Sequence, residues 1–139
     1  MTKPKPVSVQ DALNYQFYRD RLDDPGLLDR AVVTEDGDLA VPAGGKRLGG
    51  YLSMDARAAA IRLVRQMAGR PDEFPAARYH FVCDVGWLVE WGPELDWRGD
   101  DEHPEDYAAA GRYFGYSEAA IAAYGRKREE ARKRRVAIL

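Results

Sequence analysis

RYHFVCDVGWLVEW, residues 78–91, is the stretch that decides the fold. Tyr79, Phe81 and Cys83 alternate with His80 and Val82, and on the return Trp87, Val89 and Trp91 fall on one face with Leu88 and Glu90 on the other. Successive side chains leave a strand on opposite sides, so a two-residue period in both halves marks a pair of half-buried strands. The short Val85-Gly86 link predicts a tight antiparallel turn, with Trp87, Val89 and Trp91 in the core beneath helices.

A second hairpin is predicted upstream. Ala31-Val32-Val33-Thr34 and Leu39-Ala40-Val41 flank Glu35-Asp36-Gly37-Asp38, and Asp-Gly between β-formers suits a turn that needs positive φ. LGGYL, residues 48–52, predicts a further short strand whose glycines admit close neighbours. Before it, Pro42-Ala43-Gly44-Gly45-Lys46-Arg47 sets glycines beside a lysine. A phosphate-binding loop needs a properly spaced earlier glycine and a Ser or Thr after the lysine, whereas Arg47 follows here. The segment is assigned to a loop, with anion binding as the lesser alternative.

Two helices accompany these strands. Ser8 is the expected cap of a helix over 8–22, with Val9, Leu13 and Phe17 on one stripe and Tyr15, Tyr18 and Leu22 on a second. So broad an apolar face makes Tyr15 and Tyr18 candidates for partner contact; the plainer alternative is a core helix with tyrosine hydroxyls at its rim. Asp23-Asp24-Pro25-Gly26 ends this helix. Ser53 is expected to cap a helix over 54–68 that buries Ala60, Leu63, Val64, Met67 and Ala68. Arg57, Arg62, Arg65 and Gln66 form its wet face, and Gly69 and Pro71 close it. A solvated face is the default for those arginines, with nucleic-acid contact as the alternative.

The elements predict a two-layer α+β fold: a largely antiparallel sheet of two hairpins plus a short strand, covered by helices, with a C-terminal helix-turn-helix-like pair. At 139 residues and 45% hydrophobic content, one domain over 8–125 is expected. A disordered N-terminus, 1–7, precedes it and a basic C-terminal helix extension, 126–139, follows.

The C-terminal pair is YAAAGRYFGYSEAAIAAY, residues 107–124. Gly115 can end one helix and Ser117 cap the next. Gly111, Gly115 and Ile121 take the small, turn and buried-aliphatic places of a tight helical corner, and in this the stretch resembles the helix-turn-helix of bacterial DNA-binding proteins. Beyond Tyr124 comes GRKREEARKRR, where Arg126, Lys127, Arg128, Arg132, Lys133, Arg134 and Arg135 oppose only Glu129 and Glu130. Such a run can neutralise phosphates, so these cations and Ser117 are the candidate nucleic-acid contacts. The opening turn, Ser117, Glu118, Ala119 and Ala120, lacks the Arg, Lys, Asn or Gln that read base edges, which disfavours sequence-specific readout. An ordinary helical corner is the plain alternative.

Charge is uneven along the chain although its formal net value is -2. Glu94, Asp96, Asp100, Asp101, Glu102, Glu105 and Asp106 against Arg98 alone make an acidic loop that can screen the basic tail. Trp97 inside it either plugs the core or contacts a partner. Cys83 is the sole cysteine, which excludes an intrachain disulfide and a cysteine-based zinc cluster. No apolar run approaches the roughly 20 residues of a membrane span, and MTKPKPVSVQ lacks the apolar centre of a signal peptide. A cytoplasmic protein with no membrane contact is expected.

Catalytic residues, metal ligands and cofactors are assigned to none of these positions. His80 and Cys83, three apart on a strand, point to opposite faces and form no nucleophile-base pair. His103 lies among Asp101, Glu102, Glu105 and Asp106 without the ordered ligand spacing of a metal loop. Asp84 and Glu90 can face each other across the hairpin, a pairing common on sheets without catalysis.

Several stretches, YQFYRDRLDDPGLLDRAV (15–32), LAVPAGGKRLGGYL (39–52), LVEWGP (88–93) and GRYFGYSEAAIAAY (111–124), resemble an uncharacterised family of small actinobacterial and actinophage proteins, a domain of unknown function. Sixteen arginines against five lysines suit such high-GC genomes. The resemblance implies no activity and transfers no catalytic residue; the basic tail and acidic loop depart from it. The expected function is a small non-enzymatic regulatory or adaptor protein, with a phage genome as one source. It would act on an unidentified protein partner, associate nonspecifically with nucleic acid through its tail, and have a homodimer within reach. A DNA-binding transcriptional regulator using 107–128 is the alternative. A small enzyme using the loop 44–50 or His103 is the second.

Overall fold

The computed structural model describes residues 8–94 and 104–138. The expected disorder of 1–7, the candidate Trp97, His103 and most of the acidic loop lie outside the described residues.

Asn14 breaks the first expected helix. Val9–Asp11 is a single 3-10 turn, and α1 is Tyr15–Arg21. Between them Leu13 N–H donates to Gly37 O at 3.1 Å. The Asn14 amide accepts from Leu39 N–H at 2.7 Å and donates to Leu39 O at 3.4 Å. This short turn pins the chain to the first hairpin, a task a continuous helix could not perform. Leu13 is consequently 80% exposed and Phe17 42%, while Tyr18 and Leu22 are buried. The stripe of Val9, Leu13 and Phe17 is not formed, and Ser8 makes no side-chain cap.

After a 3-10 segment, Pro25–Arg30, capped by Asp24 accepting from Gly26 N–H at 3.0 Å, comes the first hairpin. Its strands are β1, Val32–Val33, and β2, Leu39–Ala40, with Val32 opposite Ala40 and Val33 opposite Leu39. Gly37 takes φ 90, the positive value anticipated for the Asp-Gly turn. The next strand, β3, is Gly50–Met54, two residues later than expected. Ser53 therefore lies within it and caps nothing; α2, Arg57–Ala68, begins at Ala56 without a side-chain cap. Ala59, Ala60, Leu63 and Met67 form the buried face of α2, whereas Ala68, expected inside, is exposed.

The stretch that decided the fold becomes β4, Arg78–Val82, and β5, Gly86–Trp91. The three-stranded sheet runs β3-β5-β4, antiparallel throughout, so β5 is its centre. Val89 and Trp91 are buried as expected, and Trp87, at the outer end of the row, is half-buried. The α+β class holds, but the hairpins form two sheets rather than one. Pro42, directly after β2 and Val41, has no N–H to extend a ladder, and the Gly44-to-Arg47 turn then redirects the chain.

One core lies between α2 and the sheet, around Leu52, Met54, Ala60, Leu63, Met67, Val89 and Trp91. A second joins α1, the 3-10 segment and the first hairpin through Tyr18, Leu22, Leu27, Leu28, Leu39 and Val41. Burying each large aliphatic is worth about 1.5–3 kcal/mol. Arg62 on α2 forks onto Glu35 in the first turn, tying the two units at the surface. The last elements are α3, Pro104–Tyr113, and α4, Glu118–Ile138.

Candidate functional site

The helical pair has the contacts its spacing predicts. A Cβ on Gly111 would fall 2.8 Å from Ile121 Cγ1, Gly115 takes φ 73, and Ser117 Oγ caps α4 by accepting from Ala120 N–H at 3.1 Å. The start of α4 is nonetheless docked on the body. Ser117 N–H donates to Arg21 O at 2.7 Å, and Arg112 holds Glu118 through Nε at 3.1 Å and Nη2 at 3.4 Å. Ser117 is thereby spent on capping, and the first outward side chains of α4 are a paired glutamate and Ala119.

Farther along, α4 runs past its neighbour. Tyr107 and Tyr124 meet edge to face at 5.4 Å, and the Cβ absent from Gly125 would lie 2.9 Å from Tyr107 Oη. Gly125, Arg128 and Ala131 are half-buried; Arg126, Lys127, Arg132, Lys133, Arg134 and Arg135 are exposed. At about 100° per residue, the half-buried positions mark the inner face and put Arg126 and Lys133 opposite, with Lys127 and Arg134 beside them. Arg132 lies 3.8 Å from Glu129. Cations so near a helix C-terminus also complement the macrodipole, so part of the run serves the helix itself.

A site that sequence patterning missed lies at the other end of the pair. Arg47, read as part of a loop, is 2% exposed. Its Nε donates to Val41 O at 3.2 Å and its Nη1 to Phe114 O at 2.9 Å. Its guanidinium carbon is 5.4 Å from the Tyr18 ring centroid and 5.9 Å from that of Phe114. Nη2 has no hydrogen-bond partner among the described residues. Burial pushes the Arg47 pKa down, and nearby Tyr18, Tyr116 and Tyr113 oppose that shift. Glycines make the room: a Cβ at Gly50 would strike Nη2, and one at Gly115 would fall 2.6 Å from Arg47 Cβ. Trp91 closes the joint, its Nε1 donating to Val41 O at 3.0 Å. Tyr18, Arg47, Trp91 and Phe114 come one each from the stretches that carried the family resemblance. The available signal was an arginine flanked by glycines on both sides in GGKRLGG, a pattern that leaves space for a bulky side chain to turn inward.

Burial also relocates the partner-contact candidates. Tyr18 belongs to the second core at 9% exposure and Tyr15 is half-buried against it, leaving Phe17 as the outward ring of α1. On the outer face of the three-stranded sheet, Glu90 is 7% exposed and lies 3.4 Å from Arg78 and 3.3 Å from His80 Nδ1. Register sets Arg78 opposite Glu90, whereas Asp84 sits in the turn with φ 71; the expected pairing of Asp84 with Glu90 is replaced. Among the described residues no group of three or more His, Cys, Asp or Glu side chains is placed to hold a metal ion, and no helix is long and apolar enough to cross a membrane.

No curated protein and no solved structure matches the chain. A family of unknown function, DUF6302, matches residues 6–137, nearly the whole length, and the chain belongs to that family.

Proposed function

We propose that this DUF6302 member is a small non-enzymatic regulatory or adaptor protein that works through protein contacts and holds nucleic acid nonspecifically on α4. The overhang of α4 carries the proposal: past Gly125 the helix goes on with Arg126, Lys127, Lys133 and Arg134 turned away from α3 and exposed. A helix whose outer face carries clustered cations suits contact with a polyanionic surface. The docked Ser117 and the paired Glu118 speak against α4 as a sequence reader. The arginine-rich composition supports an actinobacterial or actinophage source.

The test is a fluorescence-anisotropy titration of the full chain with two unrelated DNA duplexes between about 50 and 200 mM salt. Equal affinity for both duplexes is expected, with log K falling against log salt by about 0.9 per phosphate neutralised. Replacing Arg126, Lys127, Lys133 and Arg134 together with Gln should abolish that dependence. A preference for one duplex would favour the transcriptional regulator, and no binding at low salt would remove the nucleic-acid role. For the adaptor role, affinity capture should recover the same partner with the parent chain and the quadruple variant; recovery of none from host extract counts against it.

A further inference from the structure

The body holds Tyr113-Phe114-Gly115-Tyr116-Ser117 as a receptor holds a peptide. Successive backbone groups are taken by different elements. Leu48 N–H donates to Tyr113 O at 2.8 Å, Arg47 Nη1 to Phe114 O at 2.9 Å, Asp23 N–H to Gly115 O at 2.8 Å, and Ser117 N–H to Arg21 O at 2.7 Å. Leu22 and Tyr116 form an antiparallel bridge. Tyr113 Oη donates toward Pro93 O and Trp91 O from a slot between Gly49 and Gly92, where a Cβ on Gly92 would come within 2.8 Å of that hydroxyl.

These attachments mix backbone hydrogen bonds with ring contacts. Tyr113, Phe114 and Ile121 are buried outside the two main apolar cores, Tyr116 packs against the edge of the second, and rings meet across the joint at Tyr51–Phe114, 5.7 Å, and Phe17–Tyr116, 6.2 Å. Water competes for each of those hydrogen bonds once the segment lifts, whereas it offers nothing to the apolar contacts between α2 and the sheet. Arg47 adds to the imbalance. Its guanidinium is buried and its Nη2 makes a hydrogen bond of ordinary geometry with none of the described residues, so lifting the segment returns it to water.

The geometry points to a latch: α3 and α4 leave the body as one unit while the sheet and α2 stay folded, and Gly115 seated on Arg47 is the closing contact. Opening uncovers the Arg47 guanidinium, the Tyr18 ring and the N–H groups of Asp23 and Leu48, a seat for an extended segment that offers carbonyls and aromatic rings. It also redirects the cations of α4. The latch is independent of what α4 binds.

Hydrogen exchange on the full chain tests it. Amides bonded across the joint, Leu48 to Tyr113, Asp23 to Gly115 and Ser117 to Arg21, are compared with the amides of β5. The joint amides should share one exchange rate, about tenfold or more above that of β5. Gly115→Ala, which brings a Cβ against Arg47, should speed the joint amides further and leave β5 unchanged. Tyr113→Phe should do the same more weakly, which keeps the test alive if Gly115→Ala fails to fold. Joint amides as slow as those of β5, or variants that speed both regions by one factor, would overturn the latch.

Discussion

Gly111 and Ile121 meet so closely that the Cβ missing from the glycine would fall 2.8 Å from Ile121 Cγ1 and 3.1 Å from its Cδ1. The contact joins α3 to α4 one turn before the Gly115 corner. Gly111→Val should overpack it and cost about 1–3 kcal/mol in urea unfolding. In an Ile121→Ala background the same change should cost clearly less, because the atoms it strikes are gone. Strictly additive effects of the two substitutions would mean that the helices do not touch there.

Asn14 and Leu39 make a second local test. Leu39 is fully buried and its N–H has the Asn14 side chain as its acceptor. Asn14→Ala should leave that N–H bare and cost about 1–3 kcal/mol. Leu13→Ser, one residue away but 80% exposed, should stay within about 0.5 kcal/mol. Were residues 8–22 a continuous helix with Leu13 in its apolar stripe, the order would reverse, so thermal melts of the two variants decide between them.

The same two residues show where the sequence was legible. Periodicity is a reliable guide where one element meets one core, and so residues 78–91, most of the buried face of α2 and the Gly111, Gly115, Ile121 corner are all legible in the sequence. Residues 8–22 have a helical period, but the hydrogen bonds of Leu39 lie 25 positions away and outweigh it. Ser53 was misplaced for a related reason. Its Cα stands opposite Leu88 in the sheet and its hydroxyl donates to Val85 O, partners that no local cap signal reveals.

Arg47 was illegible on other grounds. Charge predicts exposure, and the groups that receive this guanidinium are backbone carbonyls and aromatic rings, which leave no mark of a counter-ion in the sequence. The basic run of α4 was the opposite case. Its cations were plain in the sequence, and all but the half-buried Arg128 are exposed in the structure.

Arg47 should tolerate substitution unevenly. Arg47→Ala empties a buried volume and removes the Nη1 donor to Phe114 O, which should cost about 2–5 kcal/mol. Arg47→Met fills most of that volume and removes a buried charge, while Trp91 Nε1 still serves Val41 O, so its cost should be much smaller. Arg65→Ala on the wet face of α2 is the control, within about 0.5 kcal/mol. Equal behaviour of all three in urea melts would show that Arg47 is not buried.

The pH dependence of stability should have two limbs of different origin. Arg62 beside Glu35, Arg70 beside Glu73 and Arg112 beside Glu118 each hold a carboxyl below its usual 4.5. A depressed folded pKa means stability that is present above about pH 4.5 and lost as pH falls through the folded values. These pairs are exposed, so the acid limb should be shallow and flatten further in salt. Burial drives the other limb, raising Tyr113 and, far more strongly, Tyr116 above the usual 10.0. A raised folded pKa means stability that is complete below about pH 10 and lost as pH rises beyond it, because the unfolded chain ionises first. Urea midpoints should therefore fall above about pH 10 in the parent chain, and Tyr116→Phe should fall less steeply. Parallel alkaline limbs in the two proteins would place the Tyr116 hydroxyl in water and remove it from the surroundings of Arg47.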